Sequence, residues 1–343
     1  MRKHWFKITL LAFATVCTVV ACVFLGLLWS AMETFEANSE IGAMDEYFHR
    51  FSVGDYTTAV ETSDFPFDEK STKEEYIRFL KSEFGSDFSN LRFSEVMGGT
   101  SDEKRYSVYR GMDHLGDLRL IPQSGESRNW RVVAVTRYAD PLVVEAPNYM
   151  TVFANGMAQT PPSGDHPVLK EFESLTQYSD LPCTVTYRLE GYLFPPEITL
   201  DSPQGTVCEL VEGDEGTVCV SVTPDGILSQ QCWNLLVDFS KLYARYISRD
   251  AELEALTVKL KPDTPLYESI LSYDTKYVIS HTGYEFRDLQ VSDVVWAEKY
   301  LSGTVCFDYI VFRGKTEFKY PSQYHLILAK EQGRWVVVDM MSY

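Results

Sequence analysis

From Ile8 to Trp29 the chain runs for 22 residues without a charged side chain. A helix of that length spans roughly 33 Å, enough to cross a hydrocarbon core of about 30 Å. Arg2, Lys3, His4 and Lys7 precede the run, and Glu33, Glu36 and Glu40 follow it. Basic flanks stay on the cytoplasmic side. The pattern therefore predicts a transmembrane helix, with the N-terminus in the cytoplasm and the bulk of the chain extracytoplasmic. The membrane is thus the first expected partner, through residues 8–29. Two rivals keep the bulk of the chain outside as well. A cleaved signal peptide has an apolar stretch of about 7–15 residues, shorter than this one. Val19-Val20-Ala21-Cys22 has the form of a lipidation site, but apolar Val23 to Trp29 stands where a lipoprotein has its polar tether.

Past a polar tether at 30–40, the apolar positions take a helical period. Ile41, Met44, Phe48 and Phe51 recur at helical spacing, and Gly54-Asp55 interrupts them. Tyr56 to Glu61 reads as a second short helix. Ser71 with Glu74 forms a capping box for a third, with Tyr76, Phe79, Leu80 and Phe84 on its apolar face and Gly85 at its end. The period then changes to that of strands at Leu91–Met97, Arg105–Arg110, Gly116–Pro122 and Trp130–Arg137. Residues 230–343 repeat the order. Leu235, Leu236, Phe239, Leu242, Tyr243 and Tyr246 line a long helix, Ala251–Leu256 a second, and Thr264-Pro265 opens a third. Strands follow at Glu285–Trp296, Tyr300–Phe312, Gln323–Lys330 and Arg334–Met341. Between the two lies a stretch of short alternating segments with the hairpin signal Asn155-Gly156.

These elements predict an α+β chain. The expected organisation is a cytoplasmic stub and transmembrane helix at 1–29, a tether at 30–40, an α+β domain at 41–146, a small all-β module at 147–229 and a second α+β domain at 230–343.

Composition adds a compartment and a charge. The 343 residues carry a net charge of −18, and beyond residue 29 there are 28 basic against 49 acidic residues. Such a surface repels phosphate backbones, so nucleic acid is not an expected partner. Five cysteines lie outside the apolar run: Cys183, Cys208, Cys219, Cys232 and Cys306. An extracytoplasmic setting permits disulfides, and an odd count leaves one thiol free or paired between chains. If Gly213-Asp214 is a two-residue loop, Cys208 and Cys219 face each other across a hairpin and form a candidate disulfide. Two buried thiols are the other reading. No cysteine or histidine spacing fits a zinc site, so no metal is expected.

Each α+β segment closes on a turn followed by Trp: Asn129-Trp130-Arg131-Val132-Val133 and Gly333-Arg334-Trp335-Val336-Val337. Helices followed by a long sheet that ends this way resemble the nuclear transport factor two-like domain. So does Tyr47-Phe48 with Gly54-Asp55-Tyr56 downstream. The resemblance covers about 41–140 and 230–343, and implies helices packed into the concave face of a curved antiparallel sheet to make a cone. The order of anchor, cone, β module and cone is similar to membrane-anchored bacterial surface proteins of no assigned activity.

Enzymes of the resembled family use a carboxylate or histidine base in the cone, so the candidates are Asp113 and His114, His281, and His325. For each the bland reading is the stronger: a solvated turn for Asp113-His114, a loop residue for His281, a hydrogen-bonded strand histidine for His325. No nucleophile elbow, zinc-protease motif or phosphate loop is present. The sequence names no catalytic residue and no cofactor. It points to a non-catalytic binding or scaffold protein at the cell envelope, with an envelope polymer or another protein as partner. The alternative is a small-ligand or weakly enzymatic pocket in one cone, and aromatic filling of the cones is the expectation that argues against it. A transmembrane sensor ranks last, because seven residues ahead of the apolar run make no output domain.

Overall fold

The computed structural model describes residues 2–85, 90–97, 103–123, 130–272 and 278–343, with side chains from Leu10 onward. Asn129 of the first closing motif and the side chains of the basic flank (Arg2, Lys3, His4, Lys7) lie outside these. The chain divides into two compact units, one of residues 1–140 with 190–195, the other of 141–189 with 196–343.

The first unit begins with α1 (Arg2–Ala37). Leu10–Ala37 is long and apolar enough to cross a membrane, and its central part has no side chain buried by the protein. The helix does not stop at Trp29. Residues 30–37 contain no Gly or Pro and include Ala31, Met32, Glu33, Glu36 and Ala37, all good helix formers. The expected tether is therefore two further helical turns.

Ser39 then makes a sharp corner, donating to the Glu36 carbonyl at 2.6 Å and accepting from the Gly42 N–H at 3.1 Å as the N-cap of α2 (Glu40–Ser52). A Cβ on Gly42 would stand 2.2 Å from the Glu36 carbonyl oxygen and 2.9 Å from that of Ala37. Only glycine fits the corner. Gly42→Ala is expected to cost about 1–3 kcal/mol through this backbone clash, more than the gain in helix propensity returns. Gly26→Ala is the control, since its Cβ meets nothing within 4 Å. Thermal unfolding of both variants in micelles, with limited proteolysis around residue 39, checks this.

Helices α3 (Tyr56–Glu61) and α4 (Lys73–Phe84) complete the helical layer. The capping box of α4 is Thr72 with Glu75, one residue later than the sequence suggests. Ser71 is buried and donates instead to the Gly191 carbonyl. The helices pack on an antiparallel sheet of β1 (Leu91–Glu95), β2 (Lys104–Arg110), β3 (Asp113–Pro122) and β4 (Trp130–Thr136) in sequential order.

The second unit contains β5 (Leu142–Pro147), β6 (Thr151–Ala154), β7 (Met157–Ala158), β8 (Thr184–Leu189), β9 (Ile198–Asp201), β10 (Thr206–Glu212) and β11 (Val218–Pro224). They form two small sheets, β10-β11-β5-β8 and β7-β6-β9. The pair β11 and β5 is parallel, the others antiparallel. Asn155 and Gly156, with φ of 50° and 78°, make the predicted hairpin between β6 and β7.

Helices α5 (Gly226–Ile247), α6 (Leu253–Thr257) and α7 (Pro265–Ser272) follow, then β12 (Gly283–Ala297), β13 (Tyr300–Arg313), β14 (Thr316–Glu331) and β15 (Arg334–Ser342) as a sequential antiparallel sheet. Bulges in β12 at 287–290 and 292–295 bend this sheet around α5. Gly303 lets α5 approach: a Cβ there would meet Leu236 at 2.6 Å. The opposite face is covered by the segment after β7, where Phe172 and Leu175 pack on Tyr300, Ile327 and Ala329.

Candidate functional site

The helix-lined interior of each sheet is filled by aromatic rings. In the first unit Phe48 lies 5.1 Å from Phe84, Phe51 stacks on Tyr56 at 5.1 Å, and Phe65 stacks on Tyr76 at 4.9 Å. The Tyr76 hydroxyl accepts from the Val135 N–H at 3.1 Å, a bond that occupies its oxygen inside the core. In the second unit Phe239, Tyr246, Phe307, Tyr309 and Tyr324 are buried in the same position. Both interiors are packed cores, with rings in edge and tilted contacts.

Asp113 and His114 open β3 on the rim of the first sheet. Asp113 is exposed and opposite Arg110. The His114 ring turns to Asp117 instead, with Nε2 3.0 Å from Oδ1, and Ser107 donates to the same oxygen at 2.7 Å. Histidine and serine thus share one carboxylate oxygen and do not activate each other. The ring and the carboxylate are both solvated. His325 lies on β14 between two hydroxyls of β13, Nε2 3.1 Å from Ser302 and Nδ1 3.0 Å from Thr304. Ser302 is fully buried and Thr304 nearly so. The ring bridges these two hydroxyls, with no carboxylate to complete a relay.

His281 makes the tightest constellation. Its Nδ1 is 2.7 Å from the Ile279 carbonyl and its Nε2 is 2.8 Å from Asp250 Oδ2. Both partners accept, an arrangement that favours a ring with hydrogen on both nitrogens. Its side chain is 6% exposed and that of Asp250 24%. The same Asp250 oxygen accepts from Tyr309 at 2.7 Å and from Ser248 at 2.6 Å. Burial opposes the charged ring, but the Ile279 carbonyl and the Asp250 carboxylate outweigh it and raise the His281 pKa. Burial likewise opposes the Asp250 anion, and the bonds from Ser248, Tyr309 and His281 outweigh it and hold its pKa low. Burial first, then the Asp250 acceptor, push Tyr309 upward. The cluster joins the end of α5, the entry to β12 and the middle of β13. Three donors converge on one Asp250 oxygen and both His281 nitrogens are engaged, so the cluster ties these elements together rather than offering a free base to a ligand.

The structure does not bring His281 and His325 together: one is in the loop before β12, bonded to the end of α5, the other on β14. The hairpin between β10 and β11 has a five-residue connection, 213–217, with Glu215 at φ 55°. Its register places Cys208 opposite Val222 and Cys219 opposite Val211. The two thiols are therefore offset by three positions and turned to opposite faces, and both are free. Cys232 is buried in α5, and burial pushes its thiol up to about 11, which suits packing and not nucleophilic chemistry. Among the described residues no group of three His, Cys, Asp or Glu side chains is placed to hold a metal ion.

Open clefts lie on the sheets' outer faces. One of about 360 Å³ in the first unit is lined by Phe65, Arg105, Asp117, Arg119 and Tyr138. Arg105 and Arg119 stand directly opposite each other across β2 and β3, and each has its own carboxylate, Glu103 and Asp64. Another of about 310 Å³ in the second unit is lined by Asp288, Gln290, Cys306, Asp308 and Gln323. Neither contains a predicted candidate residue.

No protein-family model matches the chain. No curated protein matches it either. Among solved structures it aligns with an "Ntf2 like protein involved in plasmid conjugation" at 10% identity, covering 83% of this chain and 93% of that one, with a TM-score of 0.22. A score that low carries no argument about fold or activity.

Proposed function

We propose that this chain is a membrane-anchored protein whose two units stand outside the cytoplasm and serve as non-catalytic binding or scaffold modules at the cell envelope. The observation that carries this reading is α1, whose apolar span Leu10–Ala37 finds no cover in the protein. Lipid supplies that cover. Basic residues before the span and acidic ones after it support an outward orientation of the units. The aromatic filling of both interiors supports a binding or spacing role over turnover, as does the internal pairing of His281. The helix-then-sheet order in each unit supports a pair of nuclear transport factor two-like modules, and an envelope polymer or another protein is the partner such modules would take.

The test uses the full chain in the membrane of the cells that make it. It is expected to resist alkaline carbonate extraction, to be digested by protease added to intact cells, and to retain Met1 by mass. Release by carbonate with a new N-terminus past Trp29 would make the apolar helix a signal sequence. A diacylated Cys22 would make it a lipoprotein leader. Protection from external protease would reverse the orientation.

A further inference from the structure

Strand edges expose unpaired backbone donors and acceptors, and folded proteins guard them with bulges, charges, short length or a covering segment. Four of the described edges carry such guards. β12 carries two bulges, with Asp288 and Asp293 in left-handed conformation. β15 is covered by residues 259–261, through Lys261 N–H to the Val337 carbonyl at 2.9 Å and Val337 N–H to the Lys259 carbonyl at 2.8 Å. β4 receives the Asp64 N–H on Val133 at 3.1 Å. β1 is five residues long and carries Arg92 and Glu95.

β10 has no bulge and no covering backbone segment among the described residues, and its charges, Glu209 and Glu212, are both acidic. It pairs with β11 over seven residues without a register shift and contains no Pro, Lys or Arg. Its far side is the edge of the β10-β11-β5-β8 sheet. Val207, Leu210 and Val211 are 42%, 43% and 42% exposed there. The register puts Cys208 and Leu210 on the face that runs through half-buried Val220 and Val218 to the buried Val144 and Tyr187, and puts Val207, Glu209 and Val211 on the other face. Glu209 and Glu212 have no basic partner among the described residues.

We propose that β10 is a docking edge at which an extended, cationic segment of another protein adds as a fifth strand, an inference that rests on reading the second unit as a binding module. Backbone pairing along β10 supplies the main contact. A lysine or arginine opposite Glu209, flanked by apolar side chains over Val207 and Val211, supplies the specificity. A second copy of this chain fits worse. Each copy carries −18, and an antiparallel self-pair centred on β10 sets Glu209 against Glu209.

The probe is a fluorescent heptapeptide of alternating Val and Lys with blocked ends, titrated into the full chain in nanodiscs of uncharged lipid. Saturable binding is expected. It should weaken by about tenfold or more in the Glu209→Lys, Glu212→Lys double variant, with the thermal midpoint unchanged because both side chains are exposed. The same peptide N-methylated at alternate residues should not bind, since it keeps its charge and loses its ladder donors. Equal binding of the methylated peptide, undiminished binding to the double variant, or no binding at all overturns the proposal. Self-association that Val211→Lys abolishes also overturns it and assigns the edge to a second copy. Membrane retention and protease exposure are read separately, so failure here leaves the anchored-module reading standing.

Discussion

Asp250→Ala is expected to destabilise the second unit by about 3 kcal/mol, the lower end of the cost of removing one partner from a buried ion pair, since the Asp250 side chain is 24% exposed. The variant leaves the His281 ring, the Tyr309 hydroxyl and the Ser248 hydroxyl without the oxygen they share. Arg245 donates to the Asp250 backbone carbonyl at 3.1 Å and lies over the Tyr284 ring, so its charge stays beside the altered site.

The effect depends on pH, and its sign follows from the two shifts. His281 has its pKa raised on folding. Its contribution is complete below the ordinary imidazole value of about 6.5 and is lost as pH rises through the raised value. Asp250 has its pKa lowered. Its contribution is complete above about pH 4 and is lost as pH falls through the lowered value. The clasp is therefore at full strength between roughly pH 4 and 6.5. Urea unfolding of the full chain in micelles, followed by tryptophan fluorescence, should show the largest gap between the native chain and Asp250→Ala near pH 5–6. The gap should narrow toward pH 9. Asp250→Asn should fall between them, because its amide oxygen still accepts from one hydroxyl. A gap that stays constant from pH 5 to 9 would mean that the ring is not charged in the native state.

Much of the architecture was legible because it is periodic or uniform. The apolar span needs only the absence of charge over residues 8–29, and the α+β class follows from helical spacing giving way to strand alternation twice. The parts that were not legible are non-local or ambiguous. β5 is a short continuous run, Leu142-Val143-Val144, whose partners β8 and β11 lie about 40 and 75 residues away in sequence. Three apolar residues are too few to show a period. Ser71-x-x-Glu74 and Thr72-x-x-Glu75 are equivalent capping patterns, and the backbone selects the second because Ser71 is used by Gly191. Glu212-Gly213-Asp214-Glu215-Gly216 holds two overlapping turn signals. The chain makes the wider connection, with Thr217 donating to the Asp214 carbonyl at 3.0 Å. The helical continuation of α1 past Trp29 could have been found, since residues 30–37 contain no breaker. Asp250 could not: its tie to His281 spans 31 positions and exists only once α5, β12 and β13 have assembled.

Phe172→Ala is expected to cost about 3–5 kcal/mol, the range for a fully buried aromatic. Phe172 is 0% exposed although it belongs to a three-residue turn of 3₁₀ helix in an irregular segment. It rests on Tyr300 at 5.7 Å between ring centres and shares its pocket with Leu175, Ile327 and Val338. Polar bonds alone do not hold the segment. Asp180 binds Lys299 at 2.7 Å and the Tyr300 hydroxyl at 2.9 Å, and Tyr178 donates to Glu331 at 2.8 Å. The exposed pair of Asp180 and Lys299 contributes at most about 1 kcal/mol in water. The apolar plug thus dominates. Ser174→Ala, which removes an exposed bond to Asp339, serves as the control and should change stability by about 1 kcal/mol or less. Hydrogen exchange at residues 168–183 should accelerate in Phe172→Ala well beyond that control, while exchange in β2 and β3 of the first unit stays unchanged. Equal protection in both variants would show that the polar bonds hold the segment and that the outer face of the β12–β15 sheet is not a core. If the expected loss is observed, that face is closed by the chain itself, which turns attention from the sheet face to the β10 edge as a surface for a partner.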